Sequence, residues 1–350
     1  MKAFVELTPE YEDAWRTFVE RTAGAGPYHH LEWERPAAVL GQIPRHLLAL
    51  DGDAVSGVLP LYETGPRRAR KLVSVPARDR GGPLAADEAS ARGLVEAAVS
   101  LGERAGARHV ELRSVGGLPP AVVAGFEERR HYSTSAIDLA GRDAGSLWAG
   151  LDSDERASVR KAERYGVETG WETDASAMRA FYGVFLRTRR RLGVPPYPLE
   201  FFEAMRSALV PAGLARLVLA RVDGQAVGGV IVLVSGGRAV YGYVAADERF
   251  SKMHIGDLLV WRCLEAAVEE GLAVFDFGAS SPYQTGLRAF KAKWGGQEVD
   301  LPSYRRVLAG RPLPERDSNA PGFRFARRAW SCLPLWLTRL AGAPIARRAD

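Results

Sequence analysis

Lys291 sits in the segment Phe290-Lys291-Ala292-Lys293-Trp294-Gly295-Gly296, between two aromatic residues and ahead of a glycine pair. Such a lysine either holds its ammonium beside developing negative charge or lays its stem on Trp294 with the head in water. Upstream, Asp276 lies between Phe275 and Phe277 at the end of an apolar run. Partial desolvation there would raise its pKa and suit a proton acceptor. The same carboxylate could instead orient Lys291 or cap the next loop. Tyr283 and Tyr243 can donate hydrogen bonds to an acyl group, although buried aromatic residues usually belong to a core. Arg249, Lys252 and Gly256 occupy the segment Arg249-Phe250-Ser251-Lys252-Met253-His254-Ile255-Gly256, which opens a helix. Unpaired amides and the positive dipole end at a helix start make a seat for phosphate, and nearby cations offset its charge. Arg156 and Arg160 are four residues apart, with Lys161 following. On one helix face, two guanidinium groups in line can hold a diphosphate; the alternative is a solvated linker helix.

The elements that would position these groups come from a duplicated pattern. Residues 50–61 (LDGDAVSGVLPL) and 222–233 (VDGQAVGGVIVL) share seven of twelve positions. Each copy reads as a hairpin around an Asp-Gly turn. Further on, 106–113 (GARHVELR) mirrors 271–278 (GLAVFDFG), both following helical segments. Both end a buried strand in a carboxylate, Glu111 or Asp276. The pattern predicts helices over 88–104, 152–166, 175–192 and 256–270. Strands are predicted near 45–51, 54–62, 71–75, 108–113, 215–222, 226–234, 238–245 and 273–277. The expected fold class is α+β: two α/β units of mixed, mostly antiparallel sheets flanked by helices. We expect domains at 1–150 and 151–310, followed by a basic tail at 311–350.

The chain has 350 residues and a net charge of +5, and the excess resides entirely in residues 311–350. The remainder is charge-balanced, which weakens any inference toward nucleic acid. The tail interleaves Arg with Trp330, Leu333, Leu335, Trp336, Leu337 and Leu340, interrupted by Pro334. It reads as two short helices or one kinked helix, either docked on the body or resting on an anionic membrane face. No apolar run is long enough to span a bilayer, and the N-terminus has no signal-peptide core, so a cytoplasmic protein is expected. The two cysteines, Cys263 and Cys332, and the scattered histidines fit no metal spacing. No G-x-S-x-G hydrolase motif occurs.

These residues together resemble the FemAB-like branch of the GNAT acyltransferases. The resemblance rests on the Phe-Lys-x-x-Trp-Gly segment and on Arg156-Ala157-Ser158-Val159-Arg160-Lys161-Ala162, which is similar to the family's R-x-x-I-R-K-A. Tyr28-His29-His30-Leu31-Glu32-Trp33 resembles its S/Y-H-x-x-W segment. Arg78-Asp79-Arg80-Gly81-Gly82 resembles its Y-G-G loop, with Arg80 where an aromatic residue is usual. Residues 191–202 and the tail resemble the members linked to exopolysaccharide and exosortase (PEP-CTERM) systems. In those members, F-G-R-S stands where this chain has Phe277-Gly278-Ala279-Ser280. The resemblance implies tandem GNAT-like domains and an acyl-CoA or aminoacyl-tRNA co-substrate. It implies acyl transfer to an amine of a cell-envelope or exopolysaccharide precursor, such as a nucleotide- or lipid-linked sugar or a peptidoglycan-type acceptor. Lys291 would stabilise the oxyanion or grip a donor phosphate, with Asp276 and Tyr283 beside it. Arg249, Lys252 and Gly256 would hold the donor; the acceptor would meet Arg156, Arg160, Lys161, Tyr28, His29, Arg80 and Tyr243. The usual pyrophosphate loop has two small residues and this one has only Gly256, so a silent glycan-precursor-binding scaffold is the alternative.

Overall fold

The computed structural model describes residues 2–76, 80–310, 317 and 319–347. For these residues the chain forms two compact units, Met1–Ser133 with Val299–Arg316 and Thr134–Glu298 with Asp317–Arg347. The expected division after residue 150 falls inside the second unit. Arg78, Asp79 and residues 311–316, 318 and 348–350 of the expected tail lie outside the described residues.

In chain order the first unit begins with β1 (Lys2–Glu6), α1 (Glu12–Arg21), α2 (Glu34–Val39), β2 (Ile43–Pro44), β3 (Leu47–Asp51) and β4 (Ala54–Leu59). It continues through β5 (Tyr62–Thr64), β6 (Lys71–Val73), β7 (Leu84–Ala85), α3 (Glu88–Arg104), β8 (His109–Arg113) and β9 (Glu127–Asp138). The second unit contains α4 (Ala144–Gly150), α5 (Ser153–Arg164), β10 (Glu168–Glu172), α6 (Ala175–Arg191), α7 (Leu199–Ala208), β11 (Ala215–Val222) and β12 (Gln225–Ser235). Next come β13 (Arg238–Ala246), α8 (Ile255–Glu269), β14 (Val274–Ser280), α9 (Thr285–Lys293), β15 (Gln297–Val307), α10 (Arg324–Ser331) and α11 (Leu335–Ala346). Two of these strands change units along their length: β9 ends in the second, and most of β15 returns to the first.

In the first unit a small sheet has the order β1-β3-β4-β7, and β15-β8-β6-β5-β2 are neighbours in a second sheet. Helix α3 starts where Asp87 accepts the Ser90 amide at 2.8 Å, an N-cap of the favoured type. Its apolar face buries Leu94, Val95, Ala98 and Leu101 against Leu47, Leu59, Leu72, Val110 and Leu112. It thereby links β6 to β8, which pair in parallel at Leu72↔Val110 and Val73↔Glu111.

The second unit repeats this crossover. Its sheet runs β10-β11-β12-β13-β14-β9. Helix α8 buries Leu258, Leu259, Val260 and Leu264 within a core that includes Val218, Val230, Val232 and Phe275. It joins β13 to β14, parallel at Arg238↔Val274, Ala239↔Phe275 and Val240↔Asp276. Asp276 and Glu111 therefore hold the same register position in the two crossovers, and Arg238 matches Lys71.

The two hairpins correspond one residue away from the string match. Ala49 pairs with Gly57 and Ala220 with Gly228, each just before a bulge. The central turn residues are Gly52-Asp53 in the first hairpin and Asp223-Gly224 in the second. In the second, both residues have positive φ, 49° and 74°, as a type I′ turn requires. The shared Asp-Gly letters therefore sit at different turn positions, and a one-residue slip matters because it exchanges the faces of a strand.

The tail forms two helices separated at Pro334, which precedes α11. Buried Thr338, Gly342 and Ala346, four apart, bring one face of α11 onto the body. A Cβ on Gly342 would lie 2.8 Å from the Pro196 carbonyl oxygen. At Gly193 (φ +71°) a Cβ would stand 2.4 Å from the Arg327 carbonyl oxygen, and Arg327 donates to the Leu192 carbonyl at 3.0 and 3.1 Å. Gly193→Ala is expected to release α10, speeding tryptic cleavage at Arg324–Arg328 by about tenfold or more. An unchanged cleavage rate would contradict this docking.

Candidate functional site

The parallel pairing of β13 with β14 stops at Val240 and Asp276, yet β13 runs on to Ala246 and β14 to Ser280. Where the pairing ends, β13 is bulged against β12 between Ile231 and Val232, opposite Tyr241 and Tyr243. Gly242 and Val244 are exposed there, as is Ala279 on β14. Chain ends leaving a parallel pair at the carboxyl side are a common place for a ligand in α/β architecture.

Asp276 marks the point of divergence and is fully buried. It accepts hydrogen bonds from Thr134 Oγ1 at 2.5 Å, the Gly278 amide at 2.8 Å and Arg238 Nη1 at 3.0 Å. A carboxylate so held fixes the turn at Gly278, whose φ is +73°. This geometry makes it a clamp on β14 rather than a base open to substrate.

Lys291 is likewise buried, at 3% exposure, on the inner side of α9. Its Nζ donates to the Gly278 carbonyl at 2.5 Å, Ser280 Oγ at 2.6 Å and the Ala279 carbonyl at 3.3 Å. The ammonium thus straps the end of β14 instead of facing open space. A buried lysine between aromatic residues needs partners for its charge, and here they are oxygens at the end of β14. Tyr283 is half exposed on the loop after β14, and its amide donates to Ser281 Oγ at 3.2 Å.

The start of α8 borders the same region. His254 stands ahead of it in the left-handed conformation (φ 53°, ψ 34°), an uncommon state of the kind that gathers at functional sites. Gly256 has open space where a Cβ would be. The first turn already contains a carboxylate, Asp257, which accepts from Lys293 at 2.9 Å and lies 3.4 Å from His254 Nδ1. Asp257 offsets the dipole end that a phosphate would use. Arg249 is exposed but bonded through its guanidinium to Asp247 at 2.7 Å, and Arg187 shares that carboxylate at 2.8 Å. The Arg249 hydrogen bond outweighs burial and lowers the Asp247 pKa to about 2. Lys252 is exposed beside them.

On α5, Arg156 donates to the carbonyls of Trp148, Ala149 and Leu151 and so caps the end of α4. Arg160 is exposed, its guanidinium 5.4 Å from the Trp148 ring centre, and Lys161 lies 5.8 Å from that of Tyr165. The in-line diphosphate clasp expected of Arg156 and Arg160 is therefore split, with one arginine capping and the other exposed.

Tyr28, His29 and Arg80 belong to the first unit and are buried. His29 Nδ1 accepts the Gly26 amide at 3.0 Å while Nε2 donates to the Gly82 carbonyl at 3.0 Å, an assignment that makes the ring neutral. Burial lowers its pKa, only partly opposed by the backbone bonds. Tyr28 packs edge-on to Trp33 at 4.6 Å, and Arg80 lies against Gly26.

One residue escaped the sequence reading. Arg189 is the middle of a basic stretch at the end of α6, and it is drawn in toward Tyr243, itself 9% exposed within Tyr197, Phe201 and Phe202. Arg187, Arg190 and Arg191 would have served as well by composition, so only the fold distinguishes it.

Comparison with known proteins places this geometry. Residues 153–291 match the acetyltransferase (GNAT) domain family, from the first residue of α5 to Lys291. The crystal structure of FemX superposes with a TM-score of 0.68 at 14% identity, over 87% of this chain and 97% of that one. The C-terminal domain of a putative lysylphosphatidylglycerol synthetase from Agrobacterium fabrum gives 0.60 at 14% identity, over 85% and 91%. A tandem GNAT protein from the clavulanic acid biosynthesis pathway gives 0.55 at 16% identity, over 89% and 100%. No curated protein matches in sequence. The family match thus covers residues 153–291, and the chain has the mixed, mostly antiparallel α/β GNAT fold that the tandem GNAT protein also shows.

Proposed function

We propose that this protein transfers an acyl or aminoacyl group to an amine of a cell-envelope or exopolysaccharide precursor. The observation that carries this reading is the divergence of β13 and β14 beyond Val240 and Asp276 inside a GNAT domain. A substrate lying between two diverging strands can meet backbone groups of both, held in place without reorganisation. The amine nitrogen attacks the acyl carbonyl, the bond to the thiol or hydroxyl leaving group breaks, and the amine proton passes to solvent or the leaving group. Gly256 with Lys252 and Arg249 would receive the donor's phosphates, from acyl-CoA or aminoacyl-tRNA. The charge-balanced body favours the smaller donor. In this reading Lys291 and Asp276 act on the reaction by holding β14 in place, and Tyr283 and Tyr243 flank the acyl group. Arg160 and Lys161 are the acceptor-side candidates of the second unit, and Tyr28, His29 and Arg80 are those of the first, each unit taken by itself.

Similarity to a lysylphosphatidylglycerol synthetase domain supports an envelope or lipid acceptor. No described helix is long and apolar enough to cross a membrane. The tail offers another way to reach one: Phe325, Leu340 and Trp336 are 85%, 66% and 64% exposed, among arginines and with no acidic residue over 319–347. The scaffold reading draws on Asp257, which already occupies the start of α8.

Incubation with labelled acetyl-CoA or charged tRNA and a panel of amino-sugar and aminoacyl-lipid precursors separates the two. Label transferred to an amine supports the enzyme. Saturable precursor binding with no transfer from either donor would favour the scaffold.

A further inference from the structure

Helix α6 ends in a basic run whose members are treated differently by the fold. Arg187 is paired with Asp247 at 2.8 Å and Arg191 with Glu248 at 3.6 Å. Arg189 has no carboxylate partner among the described residues. Its Nη2 and Nε donate to one acceptor, the Pro195 carbonyl, at 3.0 and 3.4 Å, and its guanidinium lies 5.6 Å from the Phe185 ring centre. The surroundings are otherwise aromatic: Tyr197 and Tyr243 are 6.1 Å apart edge-on, Tyr197 stacks on Phe201 at 4.9 Å, and Phe202 touches Phe185 and Tyr243.

Arg189 is half-buried, and a guanidinium carries its charge at any physiological pH, so its partial desolvation without an anion is unfavourable. Burial here lowers its pKa, opposed only by the two tyrosines. One carbonyl satisfies two of its five donors, leaving the Nη1 edge of the planar fork without an acceptor among the described residues. That edge matches the two oxygens of a carboxylate or phosphate, and the tyrosine rings beside it suit the body of a molecule carrying that group.

We infer that Arg189, flanked by Tyr197 and Tyr243, forms an anion-binding subsite that takes a carboxylate or phosphate carried by the acceptor. Calling the ligand the acceptor rests on the acyltransferase reading; the subsite itself rests on the geometry of α6 and β13.

Titration with inorganic phosphate and, separately, with acetate, followed by intrinsic fluorescence, tests it. Wild-type protein should show saturable binding, and the tighter of the two ions names the acceptor's anionic group. Arg189→Gln should weaken binding by about tenfold or more, and Arg189→Lys, which keeps the charge but loses the fork, by less. Arg221→Gln, which removes an arginine paired with Glu172 at 3.0 Å and placed in no site, should leave it unchanged. Equal binding by wild type and Arg189→Gln, or an equal loss caused by Arg221→Gln, would overturn the proposal. Should Arg189→Gln fail to fold, the Arg189→Lys titration decides alone, wild-type affinity being the adverse result. Saturable anion binding lost on Arg189→Gln, combined with no acyl transfer from any donor, would refute the enzyme and leave the subsite standing.

Discussion

Lys291→Met is expected to lower acyl transfer by about a hundredfold and to reduce stability by about 2–4 kcal/mol. The side chains are similar in length, so the change removes the ammonium and little volume. The Gly278 and Ala279 carbonyls and Ser280 Oγ would then lose a shared donor at the point where β14 leaves its partner. Buried acceptors without a donor cost more than the bond contributed. The strand end would loosen, and a misplacement of about 1 Å is enough for a loss of this size. Thermal unfolding and transfer measured on the same preparation check this, with kcat falling more than KM rises. A lower melting temperature with full turnover would reduce Lys291 to a structural role. An unchanged melting temperature would contradict the strap described above.

In the first unit, acid is expected to act in two windows. His109 is 2% exposed on β8, and its pKa is lowered to about 4 by burial first, with Arg305 adding to the effect. Its folded pKa is depressed, so the unfolded chain takes up the proton first. The stability this provides is complete above about pH 6.5 and disappears as pH falls toward 4, a loss of about 3 kcal/mol. Glu111, 5% exposed, behaves as a carboxylate with the same sign. Burial alone would raise its pKa, but Arg113 at 2.8 Å and Arg305 at 2.7 Å bring it down to about 2. Its contribution is present above about pH 4.5 and is lost toward pH 2, again about 3 kcal/mol. Urea midpoints at pH 7, 5 and 3 should therefore fall in both intervals. His109→Leu should flatten the first interval, because no described group hydrogen-bonds its Nε2. Glu111→Gln should cost about 3–5 kcal/mol at neutral pH by stranding buried arginine charge. A midpoint independent of pH between 7 and 5 in the wild type would refute the assignment to His109.

The repeated crossover was legible because its signals are local. The expected helix over 88–104 matches α3, and Glu111 and Asp276 were paired by pattern before their registers proved equivalent. The hairpin alignment slipped by a residue because letters record identity while turns are set by φ, and the two Asp-Gly pairs serve different turn positions. The site was harder to read. Lys291 and Asp276 stood out as residues needing partners, but whether a buried charge faces inward or toward a ligand depends on contacts far along the chain. Thr134 and Arg238 hold Asp276 across 142 and 38 residues. Arg156 was taken for a phosphate ligand because helix spacing cannot reveal that α4 ends beside it with open carbonyls. Arg189 lay hidden for the opposite reason, in a run of identical residues that only tertiary packing tells apart.

The path of β15 has a consequence for biosynthesis. Tyr304 packs in the first unit's core, where its hydroxyl oxygen accepts the Leu118 amide at 3.0 Å, and Arg305 supplies the partner of Glu111. A ribosome that has finished residue 133 has therefore made a unit still lacking an inner strand and the counter-ion of a buried acid. That unit must wait, partly built, while residues 134–298 are translated, so a nascent chain arrested before residue 299 should remain dependent on a chaperone.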